Sequence, residues 1–145
     1  MIKATVDQPE LRKLLKNLEQ LTPKMQKGIL NLATKAGAKV IEESARDKAP
    51  KRSGRLAKAI YTKRKSQRKK KREGDNPKDA VYEVGIRLDQ KGAWYATMVE
   101  FGTRHSAPRP YMRPAFEGTG DTALNGMKSY LRKRVENAIK KGLIK

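Results

Sequence analysis

Ten consecutive residues, Lys63 to Arg72, read KRKSQRKKKR, with eight basic side chains and no acid. No fold buries such a run, because unpaired charges taken out of water cost far more than their contacts return. Like charges also repel one another and stay solvated. The chain must therefore leave its core at this run and rejoin it afterwards. The flanks say how. Residues 57–65 contain Ile60, Tyr61 and Thr62, which read as a strand. Residues 73–79 (EGDNPKD) are turn chemistry throughout. Ala80, Tyr82, Val84, Ile86 and Leu88 then alternate with Val81, Glu83, Gly85 and Arg87, the clearest strand pattern in the chain. A long antiparallel hairpin is expected, with a basic arm at about 62–79.

The remaining segments are mostly helical. Ile2, Ala4 and Val6 alternate as a short strand. Asp7, Pro9 and Glu10 then mark a helix start, and Leu11, Leu14, Leu15, Leu18 and Leu21 follow at helical spacing. Thr22 as cap and Pro23 at the first position restart a helix that runs to about Asp47. Its buried side is read as Met25, Ile29, Leu32, Ala33, Ala36, Val40 and Ile41. Ala49-Pro50 ends it, since the residue before proline is pushed out of the helical region. Trp94/Met98 and Tyr95/Val99 are four apart, which predicts a short helix ending at Gly102. Residues 104–114 hold three prolines and read as irregular or edge-strand material. Leu124, Met127, Leu131, Val135, Ala138 and Ile139 form a last helical stripe, with Gly142 near its end. No internal repeat is visible. The expected fold is a single α+β domain over 1–145: an antiparallel sheet packed by an N-terminal helical pair and a C-terminal helix.

Thirty-five Lys and Arg stand against 15 Asp and Glu, a net charge of +20 among 145 residues. Residues 63–72 contribute +8 and residues 126–145 a further +6, so the charge concentrates on the hairpin tip and the terminal helix. A balance this far from neutrality speaks to partners rather than to fold: nucleic acid, an anionic membrane surface or an acidic protein. Cysteine is absent, which removes disulfides, Cys-based zinc sites and thiol nucleophiles. His105 is the single histidine, so multi-histidine metal sites and most acid–base machinery are excluded. Gly118-Thr119-Gly120 and Gly126-Met127-Lys128 lack the spacing of a phosphate-binding loop. No catalytic, cofactor-binding or metal site is expected. No apolar run approaches the roughly 20 residues of a membrane span, the first residues lack the apolar stretch of a signal peptide, and the basic run lacks the apolar anchors of a membrane-surface segment. The chain reads as an intracellular or assembly protein.

Three local patterns occur in a fixed order. Pro50 is followed by Ser53-Gly54-Arg55-Leu56 after the long amphipathic helix. Next comes Tyr95-Ala96-Thr97-Met98-Val99-Glu100-Phe101-Gly102-Thr103. Last comes Pro110-Tyr111-Met112-Arg113-Pro114-Ala115. Gly54 and Gly102 suit turns that need positive φ or close backbone approach. Tyr95, Val99 and Phe101 are expected in the core. Arg113 is expected to pair with Glu100 or to touch a neighbouring subunit, and Pro114 suits a first helical position. Together the patterns resemble the head–tail joining family of long-tailed phages, also called tail-completion or minor tail proteins, over nearly the whole chain. The resemblance implies a small α+β protein without enzymatic activity, a ring subunit between capsid connector and tail tube that leaves a channel for DNA. It places such a protein in the virion, and in the host cytoplasm during assembly. Within the motifs, Gly54, Leu56, Tyr95, Ala96, Val99, Glu100, Phe101, Gly102, Thr103, Pro110, Arg113, Pro114 and Ala115 are the residues expected to carry the structure. Tyr111 stands where Phe is more usual and adds a hydroxyl.

The family pattern gives the basic run no role. Lys63, Arg64, Lys65, Arg68, Lys69, Lys70, Lys71 and Arg72 are candidates for contact with genomic DNA or an acidic protein partner, beside the plain alternative of a solvated face. No aromatic is interleaved among them, so base stacking is not supported and any DNA contact is sequence-independent. The hairpin and the terminal helix are the expected sites of intersubunit contact and of contact with connector and tail-tube proteins. The rival reading is a cellular, sequence-independent nucleic-acid-binding protein. Charge favours it, but no helix-turn-helix, zinc-finger or RNA-binding-sheet motif is legible.

Overall fold

Pro9 and Glu10 open the first helix of the computed structural model, which describes residues 9–65, 81–88 and 93–143. The strand expected at 2–6, the Asp7 cap, the turn at 73–79 and basic residues Arg68 to Arg72 lie outside the described residues. The elements in chain order are α1 (Pro9–Glu19), α2 (Pro23–Lys48), α3 (Arg55–Ala59), β1 (Ile60–Arg64), β2 (Tyr82–Ile86), α4 (Ala96–Phe101) and α5 (Met112–Lys140). The fold is α+β, with a two-stranded antiparallel sheet beside an N-terminal helical pair and a long C-terminal helix.

Helices α2 and α5 form the frame. With 26 and 29 residues, they extend about 39 and 44 Å at ~1.5 Å per residue. The residues they share in the two cores show that they run antiparallel. Ala45 meets Ala115 in one cluster, while Ala33 meets Leu131 and Val135 in the other. The contact is built from small residues. Ala33, Gly37, Ala38 and Ala45 are the buried positions of α2. A Cβ on Gly37 would stand 2.6 Å from Cγ of Met127 and 3.2 Å from the Ala123 carbonyl oxygen, so glycine makes room here for the Met127 side chain. Here the sequence reading needs correction. Met25 and Leu32, placed inside by their spacing, are 38% and 44% exposed. Ile139, placed in the α5 stripe, is 48% exposed. Close helix approach selects short side chains and moves long ones to the flanks.

One core cluster gathers Ala45, Ala49, Leu56, Ile60, Ala93, Ala96, Tyr111 and Ala115. The other joins Leu18 and Leu21 at the end of α1 to Ala33, Leu131, Val135 and Ala138. Arg132 and Glu10 add an exposed ion pair at 3.3 Å between α5 and α1, of a kind worth at most about 1 kcal/mol. Thr22 stands at the start of α2 but its side chain makes no capping hydrogen bond. Gln26 ties the corner instead, its side-chain amide donating to the carbonyls of Leu21 (2.8 Å) and Glu19 (3.1 Å).

The hairpin has the register Ile60↔Ile86, Thr62↔Val84 and Arg64↔Tyr82. Its root is fixed to α2 by Arg46, which donates to the carbonyl of Ile60 at 2.9 Å. The first strand starts later than residues 57–65 suggest, because Arg55–Ala59 form a helical turn. Gly54 enters that turn at φ 66°. Residues 104–111 are irregular apart from a single bridge between Thr103 and Ser106. Helix α5 begins at Met112, so Pro114 occupies its third position rather than its first. Proline is tolerated there because the first four N–H groups have no partner within the helix.

Candidate functional site

The three sequence motifs, up to about sixty residues apart in the chain, meet in one place. Leu56 from the first, Ala96 from the second, and Tyr111 and Ala115 from the third are all 0–1% exposed in the same core cluster. Tyr95 and Val99 pack against it from α4. The motifs therefore form one structural joint between α3, α4 and the start of α5.

Glu100 is the fastener of this joint. One carboxylate oxygen accepts from the backbone N–H of Tyr111 (2.8 Å) and of Met112 (3.0 Å). The other accepts from the N–H of Arg113 at 3.1 Å. Three of the free amides at the start of α5 are thus satisfied by one side chain arriving from another helix, and the negative charge sits where the helix dipole favours it. Partial burial pushes the Glu100 carboxyl upward, but the three donated hydrogen bonds and the nearby Arg113 guanidinium outweigh it and hold the pKa below the ordinary value. The expected Glu100–Arg113 pairing is therefore made through the Arg113 backbone, with its exposed side chain adding only a favourable field.

Gly102 lets the chain turn from α4 back over this cap. It holds φ 78°, and a Cβ there would lie 2.8 Å from the Pro108 nitrogen and 2.9 Å from the Ser106 carbonyl oxygen. Thr103 and Ser106 exchange backbone hydrogen bonds, and the Arg109 N–H donates to Val99 O at 2.8 Å. Pro110 and Thr103 are exposed on this loop. His105 is exposed too, its backbone N–H donating to the Thr103 hydroxyl. Tyr111 lies at the centre, fully buried, and its hydroxyl has no hydrogen-bond partner. Burial first, then the charge of Glu100 and the neighbouring Tyr95, push that hydroxyl up to about 12.

One motif residue lies elsewhere than expected. Phe101 is 69% exposed rather than packed in the core. With Met98 (49%) on α4 and Trp94 (61%) in the turn before it, Phe101 is one of three large apolar side chains left exposed here. The signal was in the sequence: positions 94, 98 and 101 share one helical face, while 95 and 99 share another. Phe101 also lines a groove of about 580 Å³ between α4 and α5, with Met112, Phe116, Ile86 and Glu117. Sequence reasoning missed this groove, because its walls come from segments distant in the chain.

Of the basic candidates, Lys63, Arg64 and Lys65 are exposed where β1 leads away from the core. Lys63 stands opposite Glu83 in the register.

A family model described as "Bacteriophage HK97-gp10, putative tail-component" matches residues 12–102. That span takes in the first motif, both strands of the hairpin, all of α4 and the second motif as far as Gly102, and stops before α5. No curated protein and no solved structure matches the chain. With more than half of its residues matched, the chain belongs to the HK97-gp10-like family of bacteriophage tail components.

Proposed function

We propose that this tail component is a structural virion protein that assembles as a closed ring at the neck or upper tail. The ring completes the tail or joins it to the capsid connector, and DNA passes through its centre. The observation that carries this reading is the exposed apolar group on and just before α4. Trp94, Met98 and Phe101, all within the tail-component match, are exposed on a chain of net charge +20. Large apolar side chains left exposed close together in a chain this highly charged mark a contact waiting for a neighbour. Within the joint, Glu100, Gly102 and Tyr111 act as scaffold: they hold α4 at a fixed angle to α5 so that its outer face is presented rigidly.

Copies carrying +20 each repel one another, so a ring needs counter-charge from DNA or from acidic connector and tail-tube surfaces. The arm from Lys63 to Arg72 is the part of the chain suited to supply that contact. Native mass spectrometry of the full chain, alone and with its connector and tail-tube partners, tests the reading. A discrete ring that incorporates into necks visible by electron microscopy is expected. A monomer under all of these conditions defeats it.

A further inference from the structure

Helix α5 is divided by charge. Residues 112–125 carry Arg113 against Glu117 and Asp121, a net −1; residues 126–140 carry five Lys or Arg against Glu136, a net +4. Each half borders its own apolar groove. The first, beside α4, has exposed walls in Phe101 (69%) and Phe116 (55%), and its charged lining is Glu100 and Glu117 against Arg113, a net −1. The second, of about 250 Å³, lies between the start of α2 and the end of α5. Its exposed apolar residues are Met25, Leu32 and Leu143 at 38%, 44% and 48%, and its rim is basic, with Arg134 and Lys141. Arg134 is held at that rim: its guanidinium lies over the Tyr130 ring and its Nε donates to the Tyr130 hydroxyl at 3.0 Å. Phe116 and Arg134 are eighteen residues apart, about 27 Å along the axis, so the grooves are separate surfaces at opposite ends of one helix.

We infer that these two grooves are the two halves of one contact, the acid-rimmed aromatic groove of one copy receiving the basic-rimmed aliphatic patch of the next. The inference rests on the ring reading and names the surfaces that build it. Charge complementarity identifies the occupant as a second copy. On a strongly basic chain most faces repel their own kind, and the N-terminal half of α5 is a stretch of net negative charge that also carries an apolar groove. The contact uses two different patches, so it is heterologous. Such contacts propagate head to tail and close into a ring when the rotation allows.

The test uses full-length variants with exposed substitutions, checked for unchanged circular dichroism and melting. Phe116→Asp removes the aromatic groove and Leu32→Asp removes the aliphatic patch. Charging the centre of such a contact weakens it by about thirtyfold or more, so neither variant forms the ring alone. Mixed in equal amounts, each variant's intact half finds the other's, and assembly stops at a heterodimer. Glu117→Lys and Arg134→Glu each weaken the ring, and the double variant E117K/R134E restores it. A wild-type ring that persists in both Asp variants overturns the inference and leaves the ring reading standing. So does a mixture that remains monomeric, or a double variant no better than the single ones. A wild-type chain that never oligomerises removes the ring reading and this contact with it.

Discussion

Replacing Glu100 with Gln tests the joint most directly. The carboxylate accepts three backbone hydrogen bonds, two on one oxygen and one on the other. Glutamine keeps one acceptor oxygen. If that oxygen serves Tyr111 and Met112, the NH₂ group faces the Arg113 N–H, donor against donor. One charge-assisted bond is lost, of a class worth about 1.5–3 kcal/mol, and the remaining two weaken as their acceptor loses its charge. The Arg113 amide is exposed enough to find water, which moderates the loss. A destabilisation of about 2 kcal/mol is expected near neutral pH, seen as a Tm lowered by about 6 °C for a domain of this size. Acid supplies a second readout. Glu100 holds its proton less tightly folded than unfolded, so through this window the unfolded chain binds more protons and stability rises with pH. Its contribution is fully present above the ordinary carboxyl value of 4.5 and is lost as pH falls through the lower folded value. The gap between wild type and Glu100→Gln should therefore be constant from pH 7 to about 5 and narrow below that. Urea unfolding at a series of pH values measures it. Equal stability at pH 7, or a gap that ignores acid, refutes the assignment of Glu100 as the cap of α5.

Three further outcomes follow. Tyr111→Phe removes a buried hydroxyl that has no partner; such a group costs about 1–3 kcal/mol, so the variant should be more stable by about 1 kcal/mol in thermal unfolding, and a loss would mean the hydroxyl is satisfied. Gly102→Ala meets both a positive φ and backbone atoms under 3 Å away, and should cost at least about 2 kcal/mol, whereas Gly54→Ala meets only its φ of 66° in open space and should cost about 1–2 kcal/mol; urea midpoints rank the two. Changing Lys69, Lys70, Lys71 and Arg72 to Gln should flatten the salt dependence of duplex-DNA affinity by about 3.6 logarithmic units per decade if all four contact phosphates, while failed head–tail joining with unchanged DNA affinity would assign the arm to an acidic protein instead.

Those residues differ in how far their surroundings are written locally. Pro9 and Pro23 announce the starts of α1 and α2, and Ala49-Pro50 announces the end of α2, because these effects act within a turn of the helix. The helix over 96–101 and its glycine stop were legible for the same reason. The five residues of α3 were not, since they are too few to show a period. The first half of α5 was hidden by Gly118 and Gly120, each of which disfavours a helix by about 1 kcal/mol. It forms because Ala115 and Ala123 are buried there, Ala115 in the cluster that also holds Ala45 of α2. That gain depends on residues some seventy positions away, and no local window contains it.

The same limit explains the exposed aromatics. Hydrophobic periodicity reports that a face will be covered, not which molecule will cover it. Leu56 and Phe101 look equally like core residues in the sequence. One is 1% exposed and the other 69%. The difference lies in how short α4 is: six residues give it one face for the cluster around Tyr111, and Met98 and Phe101, with Trp94 just before the helix, lie off that face. A domain that needed only its own core would gain nothing from three large side chains there, and would risk aggregation for them. Their presence beside the Glu100 cap, which fixes α4 against α5, is what the proposed ring subunit would require: a rigid inner face that ends the fold and an outer face left for a neighbour.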